Sequence, residues 1–227
     1  MRMLKKGFTL VEVLVALAIL GVISAILIPN ISNDIQKRQS AAILAKAIAQ
    51  IEAGNQDLIQ YANTQRVDGS YSDTLATITK EDFGDVTNNK TDSILSAVFN
   101  SKVKSFWGLD GQEVTPDPEI LTLSGNSFSE TTLDTCYVFS KISAGVCINH
   151  PTKYPLSDAM DADTGFVMYI DTNGWTEKPN RTGKDIFSFK LLNNGKLVPN
   201  TGTADNPIES GDKAQEVVEA GFRIDYY

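Results

Sequence analysis

The sequence predicts an α+β fold: one long N-terminal helix, transmembrane in its first half, packed on a C-terminal antiparallel β-sheet. Three observations predict it. Residues 8–28 form an apolar run with one charged residue, Glu12, long enough to cross a bilayer as a helix. Beyond Pro29 the apolar residues keep helical spacing. From Thr135 onward, short runs rich in aromatic and β-branched residues alternate with turn signals.

The helix comes first. A single segment in lipid satisfies its own backbone groups only by coiling. Leu44, Ile48, Ile51 and Leu58 then share one face, opposite Lys46, Gln50 and Asp57. Alanines from Ala41 to Ala53 favour helix. The element should run from about Phe8 to about Tyr61, with a kink near Pro29, where a backbone bond is lost. The stripe is too short for a coiled coil.

Residues 63–130 are polar and weakly patterned. A short helix is expected at Ser93–Phe99, with Phe106 and Trp107 in the core and turns at Gly108, Gly111, Pro116 and Pro118. Strands are expected at Cys136–Ile142, Gly145–Ile148, Phe166–Ile170 and Ile186–Leu192. The Asn193-Asn194-Gly195 turn would then fold Lys196–Val198 back as a hairpin. A short helix should follow at Ala214–Ala220.

The chain has 227 residues, enough for one globular domain after the helix. Its formal charge is −8, and without Arg2, Lys5 and Lys6 the remainder carries −11. Such acidity argues against direct nucleic-acid binding, which recruits Lys and Arg to phosphates. Those three cations precede the span, so the head of the chain should stay cytoplasmic and the rest be translocated. In an exported domain, Cys136 and Cys147 are most simply a disulfide, worth about 3 kcal/mol by chain entropy; two reduced, buried thiols are the alternative.

A carboxylate inside an apolar span is costly and calls for a partner or a function. Lys5-Lys6-Gly7-Phe8-Thr9-Leu10-Val11-Glu12 resembles the type IV prepilin processing motif, shared by type IV pilins and the pseudopilins of type II secretion. The resemblance implies a pilin-like fold. It also implies cleavage between Gly7 and Phe8 by a prepilin peptidase, methylation of the new Phe8 amine, and polymerisation through the helix. The layout would be a 1–7 leader, an 8–28 transmembrane and filament-core helix, a 29–62 amphipathic continuation, and a 63–227 domain.

Glu12 would pair with the Phe8 amine of a neighbouring subunit. The implied partners are other pilin or pseudopilin subunits, the peptidase/methyltransferase, an inner-membrane assembly platform and the membrane itself. The protein would sit in the bacterial inner membrane before assembly and in a periplasmic or extracellular filament afterwards. A type IV pilus subunit is the first reading, which the size and the disulfide suit better; a secretion pseudopilin is the alternative, and the acidic charge disfavours a DNA-uptake pseudopilin. A membrane-anchored, ligand- or Ca²⁺-binding exported domain that never polymerises also fits.

No enzymatic motif is present: G-x-S-x-G, H-E-x-x-H and glycine-rich phosphate loops are all missing. His150 has no clustered ligand in sequence. No cofactor is required, but Asp163, Asp171 and Asp185 lie on or beside turns rich in oxygen donors, the ligand type Ca²⁺ takes. Some pseudopilins bind Ca²⁺ in a C-terminal loop. The competing reading is that these Asp, Asn and Gly residues only form turns. The D-x-N-G…K-P-N…G-x-D-x-F pattern from Asp171 to Phe187 resembles a strand-linking segment of many pilin-like proteins.

Overall fold

The computed structural model describes residues 7, 9–66, 69, 71, 75, 101–114, 120–125, 135–148, 166–178, 180–192, 194–200 and 213–226. The helix expected at Ser93–Phe99, His150, and the turns at Pro116 and Pro118 lie outside them.

Helix α1 spans Leu10–Gln65 and continues through Pro29 as one element. Its two halves have different surroundings. From Leu10 to Ile35 the large apolar side chains are exposed, Leu10 at 79% and Ile35 at 49%. From Ala41 onward the stripe turns inward: Leu44, Ile48, Ile51 and Leu58 are all buried, joined by Ile59 and Ala62. The change follows the sequence. The first half is apolar on every side and has no inward face; the second half carries one stripe.

A short helix, α2 (Ser101–Trp107), packs against α1 and leads into the sheet. The six strands are β1 (Leu109–Val114), β2 (Thr135–Phe139), β3 (Gly145–Ile148), β4 (Phe166–Asp171), β5 (Ile186–Leu191) and β6 (Leu197–Pro199). They lie in sequence order, every neighbour antiparallel. Helix α3 (Ala214–Glu219) buries Ala214 and Val217. Gly111 falls inside β1 rather than in a turn, while Gly108 does form the α2–β1 corner, with φ +68°.

The register sorts the sheet into two faces. Tyr137, Val146, Ile170 and Phe187 are successive cross-strand partners and form one core with the α1 stripe. On the other face Cys136, Cys147 and Tyr169 are successive partners and cluster with Val167, Trp175 and Ile186. Cys136 and Cys147 sit directly opposite each other and are joined in a disulfide.

Asn55 docks the helix on the sheet domain. It is fully buried and takes the indole N–H of Trp107 on Oδ1 at 2.8 Å, while its own N–H donates to the Gly195 carbonyl at 2.8 Å. Gln50 donates to the Trp107 carbonyl, Gln56 to the Asn194 carbonyl, and the Leu197 amide donates to Glu52. Gly54 makes the close approach possible, because a β-carbon there would fall onto the Phe106 carbonyl.

Candidate functional site: the helix head and the Asp171–Asp185 loop

Two places carry chemistry. The first is the head of α1. Thr9 is the N-cap, and with Glu12 it forms a reciprocal capping box. The Thr9 amide donates to Glu12 Oε2 at 2.7 Å and the Thr9 hydroxyl to the same oxygen at 2.8 Å; the Glu12 amide returns a bond to Thr9 Oγ1 at 3.3 Å. Sequence reasoning gave Glu12 an intermolecular partner only. The T-x-x-E spacing that signals this local cap was legible and was missed. Both side-chain bonds fall on one oxygen, leaving Oε1 out of the cap. Gly7 is exposed, and a β-carbon there would meet nothing. Phe8 lies outside the described residues.

The second place is the loop between β4 and β5. Asp171 ends β4 and Asp185 precedes β5, and the Thr172 amide donates to the Asp185 carbonyl at 2.8 Å. Asp171 Oδ1 accepts the amides of Asn173 and Gly174, and Asp185 Oδ1 accepts the Arg181 amide at 2.6 Å. These are side-chain turns of the kind the competing reading expected. Among the described residues, five buried oxygens nonetheless have no partner: Oδ2 of Asp171, Oδ2 of Asp185, Oγ1 of Thr172, and Oδ1 of Asn173 and Asn180; the buried Trp175 Nε1 in the same loop has none either.

Burial pushes the Asp171 carboxyl up to about 8, and the nearby Asp185 charge adds to the rise against the two amide bonds. Burial raises Asp185 as well. Two carboxyl oxygens and three neutral ones are the donor type that hard cations such as Ca²⁺ take. The loop opens on a pocket of about 420 Å³ against Gln36, Gln39 and Ser40 of α1. The structure thus brings Asp171 and Asp185 together. Asp163 lies outside the described residues, and among those residues no group of three His, Cys, Asp or Glu side chains gathers. Asn180 escaped sequence reasoning as an oxygen donor, because burial rather than residue type marks it.

An apolar helix left uncovered by its own domain, long enough to cross a bilayer and joined to a sheet, is consistent with membrane anchoring. Residues 2–28 match the family model described as the prokaryotic N-terminal methylation motif. That motif is the signature of type IV pilins and pseudopilins. No curated protein and no solved structure matches the chain.

Proposed function

We propose that this protein is a structural, non-enzymatic subunit of a type IV pilus-like filament, cleaved after Gly7, methylated on Phe8 and polymerised through α1. The observation that carries this reading is the methylation motif at residues 2–28 heading a helix whose apolar surface its own domain leaves open. In lipid that surface anchors the precursor; in a filament it packs against the same surface of neighbours. Leaving the membrane takes Glu12 from one apolar setting to another, where pairing with a neighbour's Phe8 amine offsets both charges. The expected partners are sister subunits, the prepilin peptidase and an inner-membrane assembly platform.

Intact-mass measurement tests the processing. The assembled chain should begin at Phe8 and carry one added methyl, and a chain retaining Met1 would refute the proposal. Location then separates the two assemblies: recovery in sheared cell-surface filaments marks a pilus subunit, and confinement to the envelope marks a secretion pseudopilin.

A second reading concerns the β4–β5 loop. We propose that Asp171 and Asp185, with Thr172, Asn173 and Asn180, hold Ca²⁺, with Asp163 as a third carboxylate. The five unpartnered buried oxygens favour it.

A further inference from the structure

We propose that the membrane-proximal base of the domain carries a binding site for the phosphate of an anionic phospholipid headgroup. The inference rests on the membrane reading of α1. Lys37 and Arg38 of α1 and Arg223 of the C-terminal tail line one pocket of about 420 Å³, together with Asp34 and Asp225. Among the described residues that line it, three cations against two carboxylates make a local excess of positive charge in a chain of formal charge −8.

The position of the pocket selects the ligand. A hydrocarbon core of about 30 Å takes roughly 20 helical residues at 1.5 Å each. Counted from Phe8, that ends near Ile28, and the exposed apolar side chains of α1 run on to Ile35. The next turn, with Lys37 and Arg38, lies at headgroup level, and long basic side chains reach back toward phosphates. Lys and Arg beside a span are ordinarily sparse on the translocated side. Two adjacent cations at that point therefore oppose the usual topological bias, and headgroup binding gives them a role.

The tail wall of the pocket is built rather than loose. Gly221, at φ +67°, ends α3 with its amide bonded to the Val218 carbonyl, and the Phe222 amide donates to the Val217 carbonyl at 2.7 Å. Ile224 is buried in the main core, and the Tyr226 hydroxyl donates to the Gly183 carbonyl at 2.5 Å. Arg223 is exposed between these anchors, so its backbone is fixed facing α1's first basic residues.

The test uses the full chain reconstituted in phosphatidylcholine vesicles containing trace spin-labelled phosphatidylglycerol or spin-labelled phosphatidylcholine. The motionally restricted fraction of each gives the relative association. The wild type should prefer phosphatidylglycerol about fivefold, the ratio that one unit of net charge near a membrane surface gives. K37Q/R38Q/R223Q should bring the ratio to about one, and Asp225→Asn should raise it. Equal association in the wild type, or a preference that survives the triple substitution, would overturn the proposal. Loss of the preference in 20 mM inorganic phosphate would overturn it in favour of a free-anion site. A chain that fails to insert into vesicles at all refutes the membrane reading together with this inference, whereas insertion without preference refutes this inference alone.

Discussion

Trp107 donates its indole N–H to Asn55 across 2.8 Å, and the same Asn55 side chain donates to the carbonyl of Gly195. One amide of α1 thereby ties the end of α2, 52 residues further along the chain, to the β5–β6 turn, 140 residues further along. Replacing Asn55 by Leu strands a buried indole N–H and a buried carbonyl. At about 1–3 kcal/mol for each unpaired group, the loss should total about 3 kcal/mol. Thermal unfolding of the detergent-solubilised chain measures it; an unchanged midpoint would show that water replaces the amide.

The disulfide should matter through the second face of the sheet. Cys136 and Cys147 share their cluster with Trp175, whose indole packs where a β-carbon on Gly145 would lie. Substituting both cysteines by Ser should lower stability by about 3 kcal/mol and red-shift the Trp175 emission as water enters. An unshifted spectrum with unchanged stability would contradict this.

How far these contacts were legible in the sequence depends on what fixes them. Leu44, Ile48, Ile51 and Leu58 were readable because spacing alone assigns them a face. β3 was readable to the residue, and β2, β4 and β5 to within a few, because their apolar content is dense. β1 was not. Leu109–Val114 offers two apolar residues and a glycine, and it is a strand because β2 holds it there, across an irregular register between Leu109 and Glu113. α2 is too short to announce itself and is held by α1. Asn55 looked like any polar helix residue, since its role depends on a tryptophan and a glycine far along the chain. At the loop, Asp171 and Asp185 were legible as oxygen donors. Their burial, which creates the unpartnered oxygens, belongs to the tertiary fold.

Metal and pH should act together on that loop. With chelator present, Asp171 binds its proton more tightly in the folded chain, at about 8, than when unfolded, at an ordinary 3.8. The folded state therefore holds more protons across that window, and stability should fall as pH rises from about 4 to about 8, by up to 1.4 kcal/mol per pH unit. Asp185 is raised also and acts in the same direction. Millimolar Ca²⁺ should reverse the trend near neutral pH by binding the ionised pair, raising the melting temperature. Identical melting curves with Ca²⁺ and with chelator at pH 7.5 would leave the loop a turn only.

Processing and fold should separate cleanly at Gly7. Gly7→Val meets no steric obstacle in the folded chain, so the domain should melt as the wild type does while uncut precursor accumulates in the membrane. Normal cleavage would place the peptidase site elsewhere.

Glu12 has two roles to disentangle, the local cap and the proposed intersubunit charge pair. Glu12→Val removes both; Glu12→Gln keeps a residue that completes a capping box but removes the charge. If pairing drives assembly, both variants should insert and be cleaved, and both should be missing from sheared filaments. Incorporation of Glu12→Gln with exclusion of Glu12→Val would assign the defect to the cap. Incorporation of both would refute the pairing mechanism.

The sequential order of the six strands bears on how the chain acquires its fold. A strand that pairs only with its predecessor needs nothing that has yet to be synthesised or exported, and such short-range closures are fast. If α1 enters the membrane first and the domain follows it across, each hairpin can close as it emerges, so that the newest strand is the only edge still awaiting a partner. The docking bond from Asn55 to Gly195 must wait for β5 and its turn. The helix that leads the chain can dock α2 early through Trp107, but its docking is completed only when the β5–β6 turn arrives.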